Sequence, residues 1–276
     1  MEIKAADVMK LRKMTGAGMM DSKKALAEAE GDFERAKDII REKGKLVVSK
    51  RSDRTASEGV VVTKIVGQKA YILCLACETD FVAQNSEFSA SANAILDIAV
   101  ANDAADAEAL KAIKNAEGIT VEDMVTEKSG QTGEKCELAY YARIEAPYSC
   151  AYDHFNKKLG TVLGFNKEVS EEVAKSIAMQ ATAMAPISID ENDCPAEVVE
   201  KEKAIALEMM KQDPKNANKP EAILAKIAEG KMRKFFEENT LLNQAVVGEK
   251  ISIREFLQQA DKEATVVAYK RFALEA

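Results

Sequence analysis

The first 44 residues carry apolar side chains at the three- and four-residue spacing of helices that are apolar on one face. The positions are Val8, Leu11 and Met14 in the first predicted helix, Ala25, Leu26 and Ala29 in the second, and Phe33, Ala36 and Ile40 in the third. The third helix is predicted to run from 32 to 43, with Asp32 as its N-cap and Gly44 as the residue that ends it. We predict a three-helix domain at 1–45, whose small core suits binding better than catalysis.

The periodicity changes from helical to extended after a polar, basic segment at 46–57, which we interpret as a linker. Runs of β-branched and apolar residues from 60 to 66 and from 69 to 77 flank Gly67 and Gln68, a pattern typical of a β-hairpin. Apolar residues then recur at helical spacing from Phe88 onward, and either Asn85 or Ser86 can cap that helix.

The same order of strand, turn, strand and helix recurs farther along the chain. Residues 148–155 and 159–165 predict two strands on either side of a short polar turn, and a helix is predicted from about 170 to 185. We therefore predict a core of two related α+β subdomains, at 58–145 and 146–276. A duplication and a chance similarity both remain open, because the two segments align only loosely.

Residues 194–242 predict a helical hairpin within the second subdomain. Cys194 and Pro195 begin its first helix, 213–220 form the loop, and the second helix returns from 221 to 238. We expect the helices to face each other through Val198, Ile205 and Met209 on one side and Ile223, Ile227 and Met232 on the other. Such a narrow apolar seam on charged helices is typical of a protruding antiparallel coiled coil. A capping box at Ser252 to Glu255 and a strand from 264 to 272 complete the predicted α+β fold.

Composition and charge narrow the classes of partner. The formal net charge is −7 and the pI is near 5.2, so the field of the whole chain repels phosphate backbones and makes nucleic acid an unlikely primary partner. No stretch approaches the roughly 18 apolar residues of a membrane span. The N-terminus has no basic region followed by an apolar one, so we expect a cytoplasmic protein. The 5 cysteines do not indicate a disulfide framework and fit a reducing compartment.

The chain offers little that could perform chemistry. Residues 130–136 resemble a phosphate loop only superficially, because the spacing is wrong and Cys136 stands where such loops have Ser or Thr. Cys74 and Cys77 have redox or zinc spacing, but residues three apart on a strand point to opposite faces. His154 is the only histidine, and the sequence does not pair Asp80 with a second acid for general acid–base work, although carboxylates distant in sequence can converge in a fold. We expect no catalytic residues, no metal and no cofactor.

Two long motifs carry a family resemblance. Residues 11–26, with the sequence LRKMTGAGMMDSKKAL, resemble the N-terminal signature of the elongation factor Ts family, usually LR-x-x-TGAGMMDCKKAL, with Ser22 in place of the usual Cys. A second family motif, TDFVA, is present at 79–83. Residues 196–202 and 229–235 also look like the coiled-coil helices of that family, so the resemblance covers nearly the whole chain.

The resemblance implies a fold and a function. Members have a ubiquitin-associated-type N-terminal bundle, a core of two α+β subdomains and a coiled-coil arm, which agrees with the division drawn from the pattern. Some carry an additional C-terminal helical module, which we expect to be missing because the chain ends soon after Phe272. The implied function is guanine nucleotide exchange on the GTPase elongation factor Tu: the protein binds the GDP form, disturbs the Mg²⁺ and phosphate site and stabilises the nucleotide-free form. It binds no nucleotide itself.

The resemblance also assigns roles to residues. Asp80 and Phe81, flanked by Thr79 and Val82, intrude near the Mg²⁺ region of the GTPase. Arg12, Met19 and Met20 bind its nucleotide-binding domain, and His154 contacts another domain. Each assignment has a simpler alternative: Phe81 closes the core of the first hairpin, Met19 and Met20 only hold the second helix in place, and His154 is a surface residue without function.

Two other classes of function remain open from the sequence. One is an adaptor whose N-terminal bundle binds a different protein while the core serves as a scaffold. The other is a thiol oxidoreductase that uses Cys74 and Cys77. Binding without any effect on nucleotide release would favour the adaptor, and loss of activity on replacing both cysteines would favour the oxidoreductase.

Overall fold

Helices and strands alternate along the chain in the order expected for an α+β protein. The computed structural model describes residues 3–212 and 221–274, so the loop predicted at 213–220 lies outside the described residues. The helices are α1 Ala5–Thr15, α2 Met19–Glu28, α3 Phe33–Lys50, α4 Asp80–Ala83, α5 Ser86–Ala101, α6 Ala107–Ala112, α7 Val121–Thr132, α8 Glu171–Met184, α9 Ala196–Gln212, α10 Glu221–Asn239 and α11 Ile253–Ala260. The strands are β1 Glu58–Val66, β2 Lys69–Cys77, β3 Glu137–Glu145, β4 Tyr148–Asp153, β5 Leu159–Phe165 and β6 Val266–Ala273.

Helices α1, α2 and α3 pack around a small apolar core, which includes Leu11, Leu26 and Ile40. Gly16 ends α1 in the left-handed conformation, with φ of 65°, and the side chain of Asp32 caps α3 by accepting hydrogen bonds from the amides of residues 34 and 35. The predicted three helices are therefore confirmed. Met14, which was expected on the buried face, is instead 47% exposed.

Helix α3 does not end at Gly44, so that prediction was wrong. It continues to Lys50 and so includes 46–50, the first part of the segment predicted as a linker. Gly44 has a different purpose: a Cβ atom placed on it would lie 2.5 Å from the carbonyl oxygen of Thr126, and one placed on Gly130 would lie 2.9 Å from the Cα of Gly44. The two glycines allow α3 and α7 to cross in backbone contact, and this packing outweighs the low helix propensity of glycine.

Two three-stranded antiparallel sheets form the core, in the orders β1-β2-β3 and β4-β5-β6. The first hairpin pairs Val66 with Lys69 across the predicted Gly67-Gln68 turn. Apolar residues from both sheets meet in one layer, which includes Val61, Ile72, Cys74, Ile144 and Val162. On their other faces the first sheet packs against α5 and the second against α8, so the strands are buried between helices.

The caps predicted at Asn85 and at Ser252 to Glu255 are present. The side chain of Asn85 accepts a hydrogen bond from the first turn of α5, and Ser252 and Glu255 form a reciprocal capping box at the start of α11. Ser170 caps α8 in the same way as Asn85 caps α5. Within 3–212 and 221–274, no helix is both long and apolar enough to cross a bilayer.

Helices α9 and α10 contact each other, but not through all of the predicted residues. Among the side chains of this pair that the structure describes, Ala206, Met210 and Met232 are the buried apolar ones, whereas Ile205 and Met209 are 39% and 60% exposed. Ile223 is 47% exposed as well. On α9 the seam therefore lies one residue beyond the predicted one, on the side where the small Ala206 occupies a contact position. The wrong choice arose because both stripes are apolar, and only packing distinguishes them.

We predict that Gly44→Ala destabilises the protein by about 1 to 3 kcal/mol, because the new methyl group meets backbone that cannot move independently of α7. Gly230→Ala in α10 is the matched control, since a Cβ there meets no described atom within 4 Å. This control should stabilise by about 0.5 to 1 kcal/mol through helix propensity. Urea unfolding followed by circular dichroism measures both changes, and equal behaviour of the two variants would contradict the close crossing.

A second stability prediction concerns Ser22, which occupies the position of the usual family cysteine. Its side chain is fully buried in the N-terminal bundle, and its hydroxyl has no hydrogen-bond partner among the described residues. A buried polar group without a partner costs about 1 to 3 kcal/mol. We expect Ser22→Cys and Ser22→Ala to raise the urea midpoint. A lower midpoint for both variants would show that the hydroxyl is satisfied.

Candidate functional site

The candidate site is the 79–82 segment, which follows directly after β2. Thr79 is the last residue before the single turn of α4, and the thiol of Cys77 donates to its carbonyl oxygen at 3.3 Å. Helix α5 begins only a few residues later, after its N-cap Asn85. The segment is therefore a short connection between a buried strand and a capped helix, which leaves it little conformational freedom.

Glu134 holds the start of this segment. Its carboxylate accepts a hydrogen bond from the Thr79 hydroxyl at 2.6 Å and two from the backbone amides of Glu78 and Thr79, at 3.2 Å and 3.1 Å. Glu134 itself lies between α7 and β3. Three hydrogen bonds to one carboxylate restrain the direction in which the chain leaves β2.

Glu78 adds a second set of polar contacts. Its carboxylate accepts two hydrogen bonds from the guanidinium of Arg51, at 2.7 Å and 2.9 Å, and one from the amide of Lys135 at 2.6 Å. Burial by itself would raise the pKa of Glu78, but the Lys135 amide and the Arg51 guanidinium outweigh it and hold the pKa below its ordinary value. Because Arg51 caps the end of α3, this pair connects the N-terminal bundle to the 79–82 segment.

The segment presents Phe81 to solvent. The Phe81 side chain is 85% exposed, whereas Ala83 is buried and Val82 packs partly against the core of the first subdomain. The alternative that Phe81 closes the core of the hairpin is therefore wrong. Asp80 is also exposed, and its carboxylate has a long contact of 3.5 Å with the amide of Gln84. An exposed aromatic ring on a restrained backbone is a feature of binding surfaces.

The residues predicted for the N-terminal contact lie on either side of the Thr-Gly-Ala-Gly turn. Arg12 is exposed in the last turn of α1, and Met19 and Met20 form the first turn of α2 with exposures of 45% and 65%. Neither methionine belongs to the buried core of the bundle, so holding α2 in place does not account for them. Exposed methionines provide an apolar and adaptable contact surface.

The bundle is joined to the core beside the 79–82 segment. The side-chain amide of Gln131 donates to the Thr15 carbonyl oxygen, and the guanidinium of Arg41 pairs with the carboxylate of Glu127 at 3.2 Å. A cleft of about 890 Å³ remains between α1, the first turns of α5 and the end of α7. Its charged lining is mainly basic and consists of Lys10, Arg12, Lys13 and Lys128 with Glu87 and Glu127. The Gln131–Thr15 contact fixes the end of α1, and with it the backbone of Arg12, relative to the core.

His154 lies at the β4–β5 turn, residues 154–158, and is half-buried. Its Nδ1 atom is 3.2 Å from the hydroxyl of Tyr152, and its ring lies 4.5 Å from that of Phe155. Phe155 is 87% exposed, yet sequence reasoning did not select it. The only signal available was its position beside the histidine, at the end of a predicted strand and next to a polar turn.

The remaining sequence candidates do not form sites. Cys74 packs in the layer between the sheets, while Cys77 packs on the opposite face against α5. Burial raises the pKa of both thiols, that of Cys77 to about 12, so neither is a ready nucleophile. Gly130 to Thr132 lie at the C-terminus of α7, whereas a phosphate loop leads into a helix N-terminus. The described part of the chain contains no cluster of His, Cys, Asp or Glu suited to a metal ion.

Comparison with known proteins gives one consistent result. A sequence model of the family described as elongation factor TS matches residues 78–276. The chain is 41% identical to elongation factor Ts of Bacteroides thetaiotaomicron over 330 aligned positions, which cover the whole of both chains. It is 43% identical to elongation factor Ts of Porphyromonas gingivalis over 277 positions, again the whole of both, and 43% identical to that of Christiangramia forsetii over 278 positions, 99% of each.

We predict a pH-dependent loss of stability for Glu78→Gln. Folding lowers the pKa of Glu78 from its ordinary value of 4.5, so its charge stabilises the fold above that pH, and the contribution is lost as the pH falls through the lowered pKa. At pH 7 the urea midpoint of the variant should lie below that of the parent, and at about pH 3 the two should approach each other. Glu249→Gln, at an exposed glutamate, is the control and should match the parent at both pH values. A gap that does not narrow at low pH would contradict the assignment.

Proposed function

The chain belongs to the elongation factor Ts family, and we propose that it accelerates the release of GDP from the GTPase elongation factor Tu. Membership makes it a translation elongation factor. The proposed activity needs no reacting group on this chain, because the factor acts by binding. We propose on the same basis that it is not an enzyme and that it acts in the cytoplasm.

The observation that carries the proposal is the exposed ring of Phe81 on a backbone that Glu134 restrains. A flexible loop would lose conformational entropy on binding, and that loss would weaken the complex. The 79–82 segment has already lost most of this freedom in the free protein. The free energy gained by burying the ring is therefore available to displace groups of the partner.

A thermodynamic cycle explains how binding at one site can release a nucleotide at another. If the factor prefers the nucleotide-free conformation of the GTPase, factor and nucleotide must weaken each other's binding by the same ratio. Release of GDP is then reversible, and GTP can displace the factor. In the GTPase, Mg²⁺ bridges protein and phosphate oxygens, so a small displacement of that region weakens GDP binding.

One phenylalanine is too little for this coupling. A thousandfold weakening corresponds to about 4 kcal/mol, whereas burial of one Phe side chain provides about 1.5 to 3 kcal/mol. We propose that Arg12, Met19 and Met20 provide further affinity on the nucleotide-binding domain, and that His154 binds another domain of the same partner. The ion pairs between the N-terminal bundle and the core support this assignment of several contacts to one partner, because they join the bundle and the core into one rigid body.

The four residues of the 79–82 segment have unequal roles in this proposal. Phe81 enters between structural elements of the partner near the Mg²⁺ region, and Asp80 supplies a charge beside it. Thr79 already uses its hydroxyl on Glu134, and Val82 partly packs against the core, so both act mainly by positioning Phe81. The factor itself ligates no metal in this mechanism.

The finer features of the fold belong to the same proposal. We propose that α1 to α3 form a ubiquitin-associated-like domain and that α9 and α10 form a protruding coiled-coil arm. The contact of α9 with α10 through Ala206, Met210 and Met232 supports the second assignment. The division into domains at 1–45, 58–145 and 146–276 agrees with the separate apolar clusters.

An adaptor function is the second candidate, favoured by the exposed methionines of the N-terminal bundle. An adaptor would bind a protein without changing nucleotide release. The two functions therefore differ in one measurable quantity, the rate at which GDP leaves the GTPase.

We predict that catalytic amounts of the parent accelerate release of a fluorescent GDP analogue from elongation factor Tu. Phe81→Ala should lower the apparent second-order rate by about 10- to 100-fold, because it removes the free energy of burying one ring. Asp80→Ala combined with it should reduce the rate further. Val66→Ala is the control, since Val66 is an exposed apolar residue at the opposite end of the same hairpin, 46% exposed, and should leave the rate unchanged.

Circular dichroism melting curves must show that each variant is folded. A parent that does not accelerate release would contradict exchange activity on this partner and favour the adaptor. A folded Phe81→Ala variant with the parental rate would show that the contact that causes GDP release lies elsewhere on the surface.

A further inference from the structure

We infer that Phe155 is a second aromatic anchor for the partner protein, separate from Phe81 and not assigned by any family motif in this chain. The inference rests on the proposed function and deepens it. Phe155 and Phe81 are the two most exposed large apolar residues in the described ranges, at 87% and 85%. Burial of a phenylalanine ring away from water is favourable, so a ring that is this exposed is expected to have a partner.

The backbone under Phe155 is restrained on both sides. The amide of His154 donates to the Leu159 carbonyl oxygen at 3.0 Å, and the amide of Lys157 donates to the His154 carbonyl oxygen at 2.8 Å. Lys157 adopts the left-handed conformation, with φ of 57°, as a tight turn requires. Its carbonyl oxygen in turn accepts a hydrogen bond from the Val61 amide at 2.7 Å. The β4–β5 turn is thereby attached to the first sheet.

This attachment places the turn at the same end of the sheets as the 79–82 segment. The ammonium of Lys158 pairs with the carboxylate of Glu58 at 2.7 Å, and Glu58 is the residue opposite Cys77 in the β1–β2 ladder. Thr79 follows Cys77 by two residues, and Phe155 precedes Lys158 by three. The two exposed rings therefore project from connections that meet at one end of the core, as two contacts with a single partner require.

The neighbouring side chains indicate the chemistry of the pocket that would receive Phe155. The ring lies against the imidazole of His154 at 4.5 Å between centroids, and the Nδ1 of that imidazole faces the Tyr152 hydroxyl at 3.2 Å. A hydrogen bond from His154 to the partner would therefore use Nε2. The complementary surface is an apolar pocket with a hydrogen-bond acceptor or donor at its edge, on the same GTPase that Phe81 contacts.

The anchor differs from Phe81 in what it should do. Phe81 is proposed to act near the Mg²⁺ region, so its removal affects the rate within the complex. Phe155 lies on the other subdomain and should contribute only affinity and orientation. Its loss should weaken binding while leaving the release rate at saturating factor intact, which is the behaviour of uniform binding.

The test is a titration of fluorescently labelled, nucleotide-free elongation factor Tu with the full-length parent, Phe155→Ala and Phe155→Leu, combined with the GDP-release assay. We expect Phe155→Ala to raise Kd by about 10- to 100-fold and to change the maximal release rate by less than about twofold. Phe155→Leu should recover most of the affinity, because it keeps a large apolar side chain. Val247→Ala, at a residue that is 71% exposed elsewhere on the second subdomain, is the control and should bind like the parent.

The outcomes separate this inference from the proposed function. A folded Phe155→Ala variant with the parental Kd overturns the anchor even if exchange is normal. A parent that binds but does not accelerate GDP release overturns the exchange function, whereas a raised Kd for Phe155→Ala in that same experiment still supports the anchor. A parent that does not bind overturns both. Equal increases in Kd for Phe155→Ala and Val247→Ala would show a nonspecific effect and would also overturn the anchor.

Discussion

The carboxylates of Glu78 and Glu134 determine how the 79–82 segment is presented, and much of the proposed function depends on them. Glu134 accepts hydrogen bonds from the Thr79 hydroxyl and two backbone amides, and Glu78 pairs with Arg51 at the end of α3. Both sets of contacts are partly buried, and hydrogen bonds to a charged group are strong where water is partly excluded. Phe81 can be left exposed because the backbone beneath it is held by polar contacts and does not need the ring for its stability.

The N-terminal bundle becomes part of the same rigid unit through α3. Had this helix ended at Gly44, the bundle would be connected to the core by an open linker, and Arg12 would have no set position relative to Phe81. The continuation to Lys50, the crossing with α7 and the Arg41–Glu127 pair replace that linker with packed structure. Several weak contacts can then add in binding, because few internal degrees of freedom are lost on association.

The features that could be predicted from sequence are those set by neighbouring residues. The Gly67-Gln68 hairpin and the caps at Asn85 and Ser252 depend on local conformational preference, and all were found. The extent of α3 and the α9 seam depend on what packs against them, which a single helix does not reveal. The 79–82 segment was selected by a family motif and not by its local pattern. Phe155 was missed because sequence shows an aromatic residue but not its exposure.

The crossing of α3 and α7 has a consequence for how this protein can vary among descendants. The close crossing requires that Gly44 and Gly130 both lack a side chain. Because neither residue can become smaller, a substitution at one position cannot compensate for a larger residue at the other. A single methyl group added there would separate the helices and carry the whole bundle outward with them. The distance between Arg12 and the 79–82 segment therefore depends on the absence of side chains at these two positions. Substitutions there would alter the fit to the proposed partner without changing any of the proposed contact residues.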